Sequence, residues 1–259
     1  MEAQMKLGLN KTGIDMSPIH TKEMLEGIES MSVIEDKLVD NTNNSTDGTL
    51  LTGEQTLKKT YLEEAGPLGS VPVPATAKGV AKSLLKKATG HRPEVFINKL
   101  GERLAYERSG VRVYDALIAK CEATITSGMP EQKIDLEMIK TFRNEEAQHF
   151  ELLTNTIRAL GGDPTSQTPD ADATGVAASG IMKVITDPRT SVCQCLEAML
   201  ALELADNDAW DLLIKLADDM GLSDIAEKFR SALGEEDVHL TSIRQWHEEL
   251  VRSQASLIG

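Results

Sequence analysis

Two stretches of the 259-residue chain carry the same chemical unit, Glu146-x-x-His149 and Glu236-x-x-His239. Side chains three residues apart leave the same face of a helix, so each unit presents a carboxylate and an imidazole together. Such a pair chelates a transition metal. Two more glutamates, Glu107 and Glu203, precede the two units, one in each half of the chain. If all four carboxylates met in a protein interior they would repel one another, and each would carry a desolvation cost of roughly several kcal/mol. Two divalent cations would balance them and leave His149 and His239 neutral. Oxygen and nitrogen donors without thiolates suit iron or manganese better than copper(I) or structural zinc.

The elements that must position these groups are long amphipathic helices. Over about 94–126 the apolar stripe reads Leu100, Leu104, Glu107, Val111, Tyr114, Ile118, Cys121, Ile125, in steps of four and three. That is the seam of a helix in a bundle, with Glu107 where an apolar residue belongs. A second segment, opened by Pro130 and closed by Gly161-Gly162, places Glu146 and His149 in the seam Ile139, Phe142, Leu153, Thr156, Leu160. Segments at about 191–220 and 223–255 repeat the plan. Their seams are Cys193, Leu196, Leu200, Glu203, Asn207, Trp210, Ile214, Ala217 and Ile225, Phe229, Ala232, Glu236, His239, Ile243, Trp246, Leu250. Residues 161–190 are a long connection, with a short helix expected around 176–185, which lets successive helices run parallel.

The halves are an internal repeat. Leu104 to Ile118 aligns without a gap on Leu200 to Ile214, and Glu145-Glu146-x-x-His149 on Glu235-Glu236-x-x-His239. Duplication makes coincidence a poor explanation of the six chemical positions. The expected fold is therefore all-α, a four-helix bundle of two repeated hairpins joined by one long crossover. It occupies residues 91–259, behind an irregular extension at 1–90. That extension is read as partly helical near 20–38, with a polar loop at Asn41–Gly48, a Pro-containing linker at Gly66–Pro74 and a lysine-rich short helix at 77–89.

A Glu from each of two helices and Glu-x-x-His from the other two resemble the ferritin-like di-iron and di-manganese carboxylate superfamily, across about 94–255. The doubled Glu-Glu-x-x-His and the repeat are most similar to the rubrerythrin and bacterioferritin group. The resemblance implies that Glu146 and Glu236 bridge two metals, while Glu107 with His149, and Glu203 with His239, serve mainly one each. It implies two iron ions, or two manganese ions or a mixed pair. The activity expected is redox chemistry with dioxygen or peroxide, of ferroxidase or peroxidase type, drawing on an external electron donor. Iron storage in a larger homo-oligomer, a di-manganese catalase and a di-iron oxygenase are the alternatives, with a metal-free helical interaction module as the fourth. Asp206 is expected as an extra ligand, a proton acceptor or a plain polar flank, and an extra acidic residue occurs there in rubrerythrins. Asn207 is expected to hydrogen-bond a ligand carboxylate, and Tyr114 and Trp210 to pack in the core or relay electrons. Glu145 and Glu235 should face the surface or brace the ligands.

Composition narrows the rest. A formal charge of −14 argues against general nucleic-acid binding. Aromatics at 3% disfavour a β-sandwich. No stretch has the length of a membrane span, and no signal sequence is evident. The three cysteines, Cys121, Cys193 and Cys195, form no CxxC pair, which fits a reducing, cytoplasmic setting.

Overall fold

The computed structural model describes residues 53–72, 92–126 and 134–256. Regular structure there is entirely helical. The chain divides into two units, Met1–Val73 and Pro74–Gly259. In the first, α1 spans Gly53–Glu64, a helix for which the sequence offered no clear signal, and residues 65–72 carry no helix or strand, in line with a linker. The expected helices near 20–38 and 77–89 and the polar loop at 41–48 lie outside the described residues.

The second unit holds α2 (Pro93–Thr126), α3 (Leu136–Leu160), α4 (Pro169–Thr186), α5 (Val192–Asp219) and α6 (Ser223–Ser256). The start of α3 differs from the expectation at Pro130. Asp135 caps it, its carboxylate accepting from the Met138 amide at 3.0 Å, so an orphan N–H at Leu136–Met138 finds its partner there. Gly161, at φ 92°, ends the helix, its amide and that of Gly162 returning to the carbonyls of Arg158 and Ile157. The crossover helix α4 is longer than expected because Thr168 and Pro169 start it a full two turns earlier than residue 176. Ser191 and Gln194 form a reciprocal capping box on α5. Gly221, at φ 66°, turns α5 tightly into α6.

Hairpins α2–α3 and α5–α6 pack into the bundle, and α2 also lies along α5. Helix α4 packs mainly on α2 and also on α5. This extra cover widens the buried face of α2 beyond the predicted stripe, to Tyr106, Val113 and Leu117, while Val111 and Ile118 are only half-buried and Ile125 is 56% exposed. Helices α3 and α6 touch sparingly along their backbones.

The apolar core is split in two. One cluster includes Tyr114, Leu117, Ile139, Phe142, Leu196, Met199, Ile243 and Trp246; the other includes Phe96, Leu100, Leu153, Trp210 and Phe229. Burying one large apolar side chain contributes about 1.5–3 kcal/mol, so the two plugs hold the four long helices at fixed separation around a polar layer. Cys121, Cys193 and Cys195 are buried, and no disulfide joins them. Among the described residues no helix is long and apolar enough to cross a membrane.

Candidate metal centre

The polar layer between the plugs contains all six singled-out residues. Glu107 comes from α2, Glu146 and His149 from α3, Glu203 from α5, and Glu236 and His239 from α6. Five of them have no solvent exposure and His149 has 2%. Three sets have ligand atoms within 4.8 Å of one another: Glu146, Glu203, Glu236 and His239; Glu107, His149 and Glu236; and Glu107, Glu146, Asp206 and Glu236.

Both imidazoles aim Nδ1 inward. His149 Nδ1 lies 2.7 Å from Glu236 Oε1 and 3.7 Å from Glu107 Oε2. His239 Nδ1 lies 3.1 Å from Glu236 Oε2, 3.8 Å from Glu146 Oε1 and 3.9 Å from Glu203 Oε2. The outer nitrogens are held across the α3–α6 gap: His149 Nε2 meets Glu235 at 2.8 Å, and His239 Nε2 meets Glu145 at 2.8 Å. Each outer carboxylate therefore braces the histidine of the opposite half. A proton on Nε2 donated to that carboxylate leaves the Nδ1 lone pair facing the cluster.

Inside, polar atoms outnumber hydrogens to share. Both oxygens of Glu107, Glu146 and Glu236, one of Glu203, and Nδ1 of both histidines are buried without an aligned hydrogen bond, their close contacts being the ion pairs to Arg103 and between Glu236 and the imidazoles. Such groups are rare in native interiors because each forfeits its hydration. Without a cation, protons must do the compensating. Burial, followed by the charges of Glu236 and Glu107, pushes Glu146 well above the usual carboxylate range. Burial and Glu236 push Glu203 up to about 8. For His239 burial opposes protonation, but Glu236 overcomes it and raises the imidazole to about 9. Burial likewise opposes ionisation of Glu236, yet the two imidazoles facing it hold its pKa down at about 2.

Several neighbours complete the layer. Asp206 has no exposure and joins the cluster, so the plain polar flank is excluded. The guanidinium of Arg103, 2% exposed, places Nε 2.9 Å from Glu107 Oε1 and Nη1 2.9 Å from Asp206 Oδ1. It also lies 4.1 Å over the Tyr106 ring, whose hydroxyl donates to the Leu202 carbonyl at 3.0 Å. Sequence reasoning missed Arg103, although its position one turn before Glu107 was a signal. The Arg103 charge offsets that of Asp206, so four glutamate charges still await a counter-charge.

Gly110 was also missed. A Cβ there would stand 2.1 Å from Glu146 Oε2, so the glycine makes room for that carboxylate. A glycine in mid-helix, three residues after Glu107, is itself unfavourable for the helix and was the available clue. The Tyr114 hydroxyl donates to Glu203 Oε1 at 2.6 Å, so this ring braces a site carboxylate as well as packing. Trp210 packs edge-on against His149 and Phe229, and its indole N–H has no hydrogen-bond partner. Asn207 differs from expectation. Its amide donates to the backbone carbonyls of Glu203 and Glu236 at 3.0 and 3.2 Å, pinning α5 to α6 instead of holding a carboxylate. The reason is reach: at i+4 from Glu203 the amide meets the exposed-lone-pair carbonyl of its own helix before any side chain.

Residues 136–253 match the family model described as a ferritin-like domain. The matched span runs from α3 to α6 and leaves out α2, with Glu107 and Arg103. No curated protein and no solved structure matched the chain.

Proposed function

We propose that this chain, whose residues 136–253 match the ferritin-like domain model, is a dinuclear metal protein that reacts with dioxygen or peroxide. Two iron ions are the metals this reading takes, with Glu107, Glu146, His149, Glu203, Glu236 and His239 as their ligands. The observation that carries it is the concentration of buried carboxylate oxygens and inward Nδ1 atoms that make no aligned hydrogen bond. Their charge, with Asp206 offset by Arg103, matches two divalent cations. The donor set of carboxylates and imidazoles fits iron or manganese.

Bound there, a redox-active pair would supply the electrons for reducing an oxidant, which no side chain of the layer supplies. The chain's own part is positioning. An Nε2 proton shared with Glu235 or Glu145 would leave Nδ1 of each imidazole free to hold a metal. Tyr114, its proton held by burial and by the Glu203 charge, fixes one oxygen of Glu203 and leaves the other inward. Glu236, with one oxygen 2.7 Å from His149 Nδ1 and the other 3.1 Å from His239 Nδ1, and Glu146 would be the carboxylates that serve both metals. The apolar plugs above and below keep bulk water from the layer.

Anaerobic loading with Fe(II), followed by oxygen or peroxide and optical detection of oxidation, tests the proposal. Two metals per chain and rapid oxidation are expected. Fewer than two metals, with no change in Glu146→Ala or Glu236→Ala, refutes it.

A further inference from the structure

The gapless alignment of Leu104–Ile118 on Leu200–Ile214 also shows where the halves stop being equivalent. Arg103 aligns with Met199, Gly110 with Asp206, and Tyr114 with Trp210. The first and second differences meet in space, since the Arg103 guanidinium bonds Asp206 at 2.9 Å. The two terminal glutamates consequently have different partners. Glu107 has a fixed cation 2.9 Å from one oxygen, whereas Glu203 has a neutral phenol at 2.6 Å. Met199, the counterpart of Arg103, is buried and uncharged.

We infer that the two metal positions are unequal by construction: Arg103 weakens the Glu107–His149 position, and the Glu203–His239 position fills first. This rests on the proposed two-metal reading. A guanidinium beside Glu107 competes with an incoming cation for the same oxygen and repels it through a low-dielectric interior. A phenol on Glu203 imposes no such repulsion. Asp206 lends the first half little compensating attraction, because its charge is spent on the same guanidinium. The geometry agrees independently. His239 shares ligand range with three carboxylates, Glu146, Glu203 and Glu236, whereas His149 shares it with two, Glu107 and Glu236; the remaining set, Glu107, Glu146, Asp206 and Glu236, holds no imidazole and includes both carboxylates that Arg103 engages.

Exchanging the unequal residues for their repeat counterparts provides the test. Arg103→Met with Asp206→Gly removes one positive and one negative charge, so the cluster keeps its net charge. Mn(II) titrated into the metal-free full chain, followed by calorimetry and electron paramagnetic resonance, should give two steps about tenfold or more apart. At one equivalent the spectrum should be that of isolated Mn(II), with the coupled pair appearing only on the second. His239→Ala should abolish the tight step, and His149→Ala the weak one. In the double variant the two affinities should converge to within about threefold. Equal affinities in the unaltered chain, loss of the tight step in His149→Ala, or an unchanged separation in the double variant overturns the inference. No tight Mn(II) binding in any form would instead refute the two-metal reading beneath it. Circular dichroism of each variant separates loss of binding from loss of fold, and a double variant that does not fold is replaced by Arg103→Met alone. There the weak step should tighten toward the other, and a weak step that stays put overturns the inference.

Discussion

Replacing Gly110 by alanine should separate the stability of the fold from the competence of the site. The added Cβ would lie 2.1 Å from Glu146 Oε2 and 2.7 Å from its carboxyl carbon, and its three nearest neighbours all belong to that carboxylate. The obstructed atoms are the far end of a flexible side chain, so Glu146 can swing aside in the metal-free protein. Alanine also gains about 0.5–1 kcal/mol of helix stability over glycine. The metal-free melting temperature should therefore stay the same or rise slightly. Binding should suffer, because a carboxylate placed between both halves must return to the obstructed position. Overpacking typically costs about 1–3 kcal/mol, and charged to the bound state alone that lowers affinity about 5- to 150-fold. Differential scanning calorimetry of the metal-free protein and Mn(II) calorimetry read the two effects separately. Unchanged Mn(II) affinity in Gly110→Ala would show that the Glu146 carboxylate is not needed where the structure puts it.

Further outcomes follow from the same layer. Glu145→Ala and Glu235→Ala should each lower metal affinity about 10–100-fold through the histidine they release, with little change in helicity because both side chains reach solvent, at 25% and 42% exposure. Tyr114→Phe should lower the melting temperature by the equivalent of about 1–3 kcal/mol, for the lost hydrogen bond to Glu203, while calorimetry still finds two metals per chain. Metal affinity should climb from pH 6 to 9, since a cation must displace protons from His239, at about 9, and Glu203, at about 8. The stability of the metal-free protein should run the other way. His239 is raised above its unfolded value of about 6.5, so its contribution is full below that pH and disappears as pH rises through about 9. Glu203, raised above about 4.5, likewise loses its contribution as pH rises through about 8. The gap in melting temperature between metal-loaded and metal-free protein should therefore widen across this range, and a gap that narrows contradicts the assignment of these two groups.

The periodicity of the chain by itself determined four long helices and the six chemical positions on them. A seam repeats every three or four residues, and Glu107, Glu146, His149, Glu203, Glu236 and His239 each interrupt one. Burial of these six follows from periodicity, because the middle of each seam faces the other helices, while Val111, Ile118 and Ile125 of the first seam stay partly exposed. The repeat added the pairing of halves. Helix starts were less legible: Pro130 looked like the opening of α3, but a carboxylate on the first amides, at Asp135, decided it. What only the tertiary structure decided lies off the seams. Arg103 is an ordinary surface-type residue until α4 and α5 close over α2 and bring Asp206 to 2.9 Å. Gly110 is a weak helix position until α3 sends the Glu146 carboxylate against it. The crossed bracing of His149 by Glu235 and His239 by Glu145 joins residues far apart in sequence, through a gap between α3 and α6 that no spacing within one helix encodes. Local periodicity sets which face a residue takes, whereas its charge partners depend on which helices arrive opposite it.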